Sequence, residues 1–140
     1  MTGKVGTAAN ESGFDDTLQQ IRSAILLVTE NDDVRGMLQG LLEQNDYVVF
    51  SASTGFEALL TLGRMPRPSL ALLDLRMSGM SGLDVIHVMR AEEDYASIPV
   101  ILMTSFECSA PPNGVRVLRT PFGNGHLLAL VFEAFLSPPT

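Results

Sequence analysis

Tryptophan is absent, cysteine occurs once, and lysine plus arginine number only nine. Each shortage excludes a class of protein. A lone Cys108 allows no internal disulfide and no thiolate metal site, and reads as a small loop residue. The basic residues are scattered among sixteen acidic ones, for a formal net charge of -7. Binding a phosphate backbone needs clustered Lys and Arg, so no direct nucleic-acid role is expected. No apolar run reaches the ~18 to 20 residues of a membrane span, and the N-terminus lacks the basic, apolar, small order of a signal peptide. The chain is therefore expected to be soluble, away from membranes and cytoplasmic.

What is present is apolar. A hydrophobic content of 46% and a mean hydropathy of +0.22 are high for 140 residues. A sheet buried on both faces has that composition, because its strands are continuous apolar runs. The length suits one domain. Residues 1–22 are polar, without an apolar period, and read as a disordered leader. A domain is expected over 23–137, and 138–140 as a tail.

Strand and helix patterns alternate through that domain. Ala24 to Val28 reads as a buried strand. Asp33 to Gln44 reads as a helix carrying Val34, Met37, Leu38, Leu41 and Leu42, with Asp32 and Asp33 where a helix N-terminus welcomes negative charge. Tyr47 to Phe50 is a short strand, and Thr54 to Arg64 a helix (Phe56, Leu59, Leu60) ended by Pro66 and Pro68. Leu70 to Asp74 is a third strand, and Leu83 to Glu93 a helix with Val85, Ile86, Val88 and Met89 inward. Strands at Ile98 to Met103 and Val115 to Leu118 precede a final helix, Phe122 to Leu136. Such alternation argues for a parallel sheet with helices on both faces. The exception is Ser105 to Gly114, where Pro111-Pro112-Asn113-Gly114 prevents a good helix.

Asp74 is the one charge in Leu70-Ala71-Leu72-Leu73-Asp74-Leu75. In an open parallel sheet, ligands bind outside the carboxyl ends of the strands. A carboxylate placed there is suited to chemistry; the bland alternative is a turn former or helix cap. The first strand ends Val28-Thr29-Glu30-Asn31-Asp32-Asp33, and the fourth ends Thr104-Ser105. If those strands are neighbours, Glu30, Asp74 and Thr104 converge. Two nearby carboxylates repel unless a cation lies between them, and Mg2+ suits such oxygen ligands.

The run Leu73-Asp74-Leu75-Arg76-Met77-Ser78-Gly79-Met80-Ser81-Gly82-Leu83 resembles the receiver domain of two-component response regulators, close to its D-L-x-M-P-x-M-x-G-L pattern. Ile25-Leu26-Leu27-Val28, Pro99-Val100-Ile101-Leu102-Met103-Thr104 and Thr120-Pro121-Phe122 follow the family in the right order, over roughly residues 24–136. The resemblance implies a doubly wound, flavodoxin-like α/β fold, a five-stranded parallel sheet of order 2-1-3-4-5. It implies a signalling module rather than an enzyme. Asp74 would be the phosphoacceptor for a histidine kinase or phosphotransfer protein. Glu30, Asp74 and the backbone carbonyl of Arg76 would hold Mg2+. Thr104 would hydrogen-bond the phosphoryl group and carry the signal to a downstream protein partner. A homodimer is compatible with it.

Four departures bear on function. Thr29 stands where the family has a first acid, and Glu30 is a methylene longer than the usual aspartate; both should weaken Mg2+ binding. Thr120 stands at the family's lysine position. A unit charge about 4 Å from an anion is worth roughly 4 kcal/mol at an effective dielectric near 20, and adjacent Arg119 faces the other way along a strand. Val117 replaces the aromatic residue that toggles on the fifth strand. Thr104 to Thr120 spans only 16 positions, so the fourth of the family's helices is shortened or lost.

The favoured expectation is a stand-alone receiver phosphorylated on Asp74. The alternative is a pseudo-receiver that binds protein without phosphorylation. A phosphohydrolase would need a second acid where Arg76 stands, and a flavin site would need phosphate-cradling loops where this chain has acids. His87 and His126 read as surface residues, and Met77, Met80, Met89 and Met103 as core fillers. Phe122 is expected to anchor the last helix, after a cis Thr120-Pro121 bond.

Overall fold

The computed structural model describes residues 23–105 and 110–136. The leader and tail expected at the termini, and Cys108, lie outside them. Five strands, β1 Ala24–Val28, β2 Val48–Ala52, β3 Leu70–Asp74, β4 Val100–Thr104 and β5 Val115–Arg119, form one parallel sheet of order β2-β1-β3-β4-β5. Four helices connect or follow them: α1 Asp32–Gln44, α2 Gly55–Leu62, α3 Gly82–Ala91 and α4 Asn124–Leu136. This is the doubly wound order, and strand order reverses between β1 and β3, where such sheets open a crevice.

The alternation of side chains along each strand feeds two cores. Leu26, Val28, Leu73 and Leu102 face α2 and α3, packing on Ala58, Leu62, Val85, Ile86 and Met89. Ile25, Leu27, Leu72, Ile101 and Leu118 face α1 and α4, packing on Leu38, Leu42, Leu127 and Val131. The three inner strands are buried almost throughout, which is why their sequences are apolar without alternation.

The helices bury narrower stripes than the apolar spacing suggests. Met37, Phe56, Leu60 and Val88 are exposed, at 56%, 67%, 48% and 37%. Each helical residue turns about 100°, so Leu38 and Leu42 share the inward face while Met37 is swung off it. In α2 the small Ala58 faces the sheet, which turns Phe56 outward. The fourth strand begins two residues later than expected, because Pro99 has no N–H for a ladder.

Two local features set the site. Ser81 caps α3 in a reciprocal box with Asp84, each side chain accepting from the other residue's backbone N–H. Gly82 follows at a place with no room for a side chain. A Cβ there would lie 2.5 Å from the Asp74 carbonyl oxygen and 2.9 Å from Leu102 Cδ1. Among the described residues between β4 and β5 there is no helix, and Gly114 turns with φ +77° into β5. The Thr120-Pro121 bond is cis, as the sequence led us to expect.

Candidate functional site at the carboxyl ends of the strands

Asp74 ends β3 half-buried, and the parallel register explains its neighbours. Val28 lies beside Leu73, which places Thr29 next to Asp74. Thr29 is fully buried and its hydroxyl donates to Asp74 Oδ2 at 2.9 Å. The same oxygen, Thr29 Oγ1, accepts from Asn31 N–H at 3.3 Å. Asn31 caps α1 through Oδ1, which accepts from Val34 N–H at 3.0 Å. Arg35, one turn on, donates from Nη1 to the Thr29 carbonyl at 2.7 Å and pairs with Asp32. The turn after β1 is thus hydrogen-bonded to both β3 and its own helix.

On the other side, Thr104 is buried at the end of β4. Thr120 follows β5, and its N–H donates to the Thr104 carbonyl at 2.9 Å. Asp74, Thr29, Arg76, Thr104 and Thr120 line one open cavity of about 410 Å³, with Phe122 also in the lining. Arg76 is the one cationic residue of that lining. Arg119 is exposed and lies outside the lining, consistent with the alternation along β5.

Glu30 is placed differently from the other site residues expected from sequence. It is exposed, lies outside the cavity lining, and accepts from the Ser78 backbone N–H at 2.7 Å. That bond ties the turn after β1 to the loop after β3. Asp32 and Asp33 sit in the first turn of α1, as expected. Among the described residues no three of His, Cys, Asp or Glu are grouped for a metal ion. Sequence reasoning treated Thr29 only as a lost acid and missed its bond to Asp74. The signal was available: a hydroxyl-bearing residue one step past β1, in register with the first residue past the apolar part of β3.

The family model described as the response regulator receiver domain matches residues 25–119. The chain belongs to that family. Among relatives of this receiver, the polar-differentiation response regulator DivK of Brucella anthropi is 29% identical over 93 residues, covering 66% of this chain and 75% of DivK. The chemotaxis protein CheY4 of Vibrio cholerae has the same fold, with a TM-score of 0.72 at 22% identity over 79% of this chain and 97% of CheY4. The receiver domain of a sensor histidine kinase of Pseudomonas aeruginosa, with magnesium coordinated in its active-site cleft, superposes with a TM-score of 0.74 at 24% identity, covering 82% and 98% of the two chains. The receiver fold of two-component signalling is therefore the frame for the cavity around Asp74. No helix among the described residues is long and apolar enough to cross a membrane.

Proposed function

We propose that this receiver accepts a phosphoryl group on Asp74 from a histidine kinase or phosphotransfer protein in the cytoplasm, and passes the signal on by protein contact. The observation that carries the reading is Asp74 itself, a half-buried carboxylate at the end of β3 that lines an open cavity together with Thr104 and Thr120. A carboxylate oxygen attacks phosphorus, the bond from phosphorus to the donor imidazole nitrogen breaks, and the electron pair leaves with the imidazole. The product carries roughly -1.5 to -2 charge. Catalysis of this type is positioning plus charge neutralisation. Thr104, on the cavity wall, would hydrogen-bond a phosphoryl oxygen, and Arg76 adds positive charge to the wall.

The donor set fits Mg2+ in kind: Asp74 and Glu30 carboxylates and the Arg76 carbonyl are hard oxygen ligands. These three would hold the ion, which would neutralise charge on the transferring group. Thr29 contributes no charge, and one oxygen of the Glu30 carboxylate already accepts from the Ser78 N–H, so binding should be weak for the family. Thr120 favours a second reading. Its side chain brings no positive charge to the cavity at the family's lysine position, as expected of a pseudo-receiver that binds a protein partner without phosphorylation.

Intact mass after incubation with Mg2+ and acetyl phosphate separates the two. A phosphoryl adduct on the parent chain, absent from Asp74→Ala, is the expected result. No adduct, together with no Mg2+ binding in a separate titration, would overturn the phosphoacceptor reading in favour of the pseudo-receiver.

A further inference from the structure

Thr29 is held from three directions. Its N–H donates to the Ala52 carbonyl across the sheet at 3.3 Å, its carbonyl accepts from Arg35, and its hydroxyl oxygen accepts from Asn31 N–H. With that oxygen already accepting, the hydroxyl proton is directed to Asp74 Oδ2, 2.9 Å away. Its burial is complete, so water does not compete for the bond. A donor fixed this way costs no reorganisation when the carboxylate reacts.

We propose that Thr29 is a positioning residue for Asp74: its hydroxyl holds Oδ2, fixes the carboxylate plane and leaves Oδ1 as the oxygen that attacks phosphorus. The role rests on the phosphoacceptor reading above and adds to it a specific oxygen and a specific partner. A second acid at position 29 would repel Asp74 unless a cation lay between them. A neutral hydroxyl instead orients the carboxylate by itself, before any cation arrives. In the step itself, Oδ1 forms the new bond to phosphorus, the phosphorus bond to the donor's leaving group breaks, and that group departs with the electron pair. The Thr29 proton stays on Thr29 throughout.

Thr29→Val removes the hydroxyl and keeps the shape; Thr29→Ser keeps the hydroxyl. The rate of adduct formation is measured by intact mass over a range of acetyl phosphate concentrations at fixed Mg2+. Thr29→Val is expected to lower the maximal rate about tenfold with the half-saturating donor concentration unchanged, the signature of an interaction used in the reacting state. Thr29→Ser is expected to recover most of the rate. A Thr29→Val rate equal to the parent's overturns the proposal, as does a folded Thr29→Ser as slow as Thr29→Val, which would mean the methyl group matters and the hydroxyl does not. The hydrogen bond has its own readout. The Thr29 hydroxyl proton should give a slowly exchanging NMR resonance in the parent that is lost in Asp74→Ala. No such resonance overturns the proposal whether or not the chain is phosphorylated. A resonance with no adduct on the parent supports the placement of Thr29 and counts against the phosphoacceptor reading instead.

Discussion

The sheet has two unlike halves. In the β2-β1-β3 half, every turn at the carboxyl ends is tied down by side chains. Thr29 bonds Asp74, Glu30 bonds the Ser78 N–H, Asn31 caps α1, Thr54 caps α2 and Ser81 caps α3. In the β4-β5 half, α4 covers one face, while the described residues of the connection supply no helix for the other. Leu118, under α4, is fully buried, but Val115 and Val117 on the opposite face are only half-buried. The half that holds Asp74 is built to keep geometry. The other half is thinner, and its share of the cavity wall carries Thr120 at the family's lysine position.

Substitutions can break that contrast. The largest expected effect is in the core under the site. Leu102→Ala should lower unfolding free energy by about 3–5 kcal/mol, since Leu102 on β4 is fully buried in the core beside α3 and its loss leaves a cavity. Val117→Ala should cost only about 1 kcal/mol, because its side chain gives up less burial. Equal losses in urea unfolding would mean that β5 is packed as firmly as β4. Next in size, Gly82→Ala should cost about 2–3 kcal/mol, because the new methyl group meets the Asp74 carbonyl, a backbone atom that cannot rotate away. It should also lower adduct formation by shifting Asp74, read in the same intact-mass assay.

The smallest effect sharpens the tied-down half through pH. The Ser53 N–H and hydroxyl both donate to Glu57, at 2.5 and 3.0 Å, and hold its carboxyl below the ordinary glutamate value. Folding therefore favours the anion. That contribution is present above the unfolded pKa and is lost as pH falls through the lowered folded value. Glu57→Gln should lower Tm slightly at neutral pH, and the gap from the parent should close in acid. A gap that stays constant with pH would show that the Ser53 bonds do not depend on the charge.

Legibility followed burial. The inner strands were readable because burial on both faces leaves an uninterrupted apolar signature, as in Leu70-Ala71-Leu72-Leu73. The helices were readable in position but not in orientation. Phe56 and Met37 carry the spacing of core residues, yet the arc each helix turns to the sheet depends on how closely it packs, and Ala58 in α2 sets that distance. That the described residues between β4 and β5 hold no helix was legible from Pro111-Pro112, since proline removes both a donor and the room for a helical turn.

Local chemistry along the chain determined the strands, the capping residues, the Asp74 carboxylate at the end of a strand and the absence of a lysine at Thr120. Those properties depend on neighbours a few residues apart, and the sequence alone carries them. Tertiary structure decided that Thr29 hydrogen-bonds Asp74, that Glu30 turns to the Ser78 N–H instead of the cavity, and that Gly82 leaves no room for a methyl group. Each of these rests on strand register or on close backbone approach between segments as much as 48 residues apart. Such contacts arise only when the sheet is assembled, because strand register sets which side chains meet and by how many ångströms.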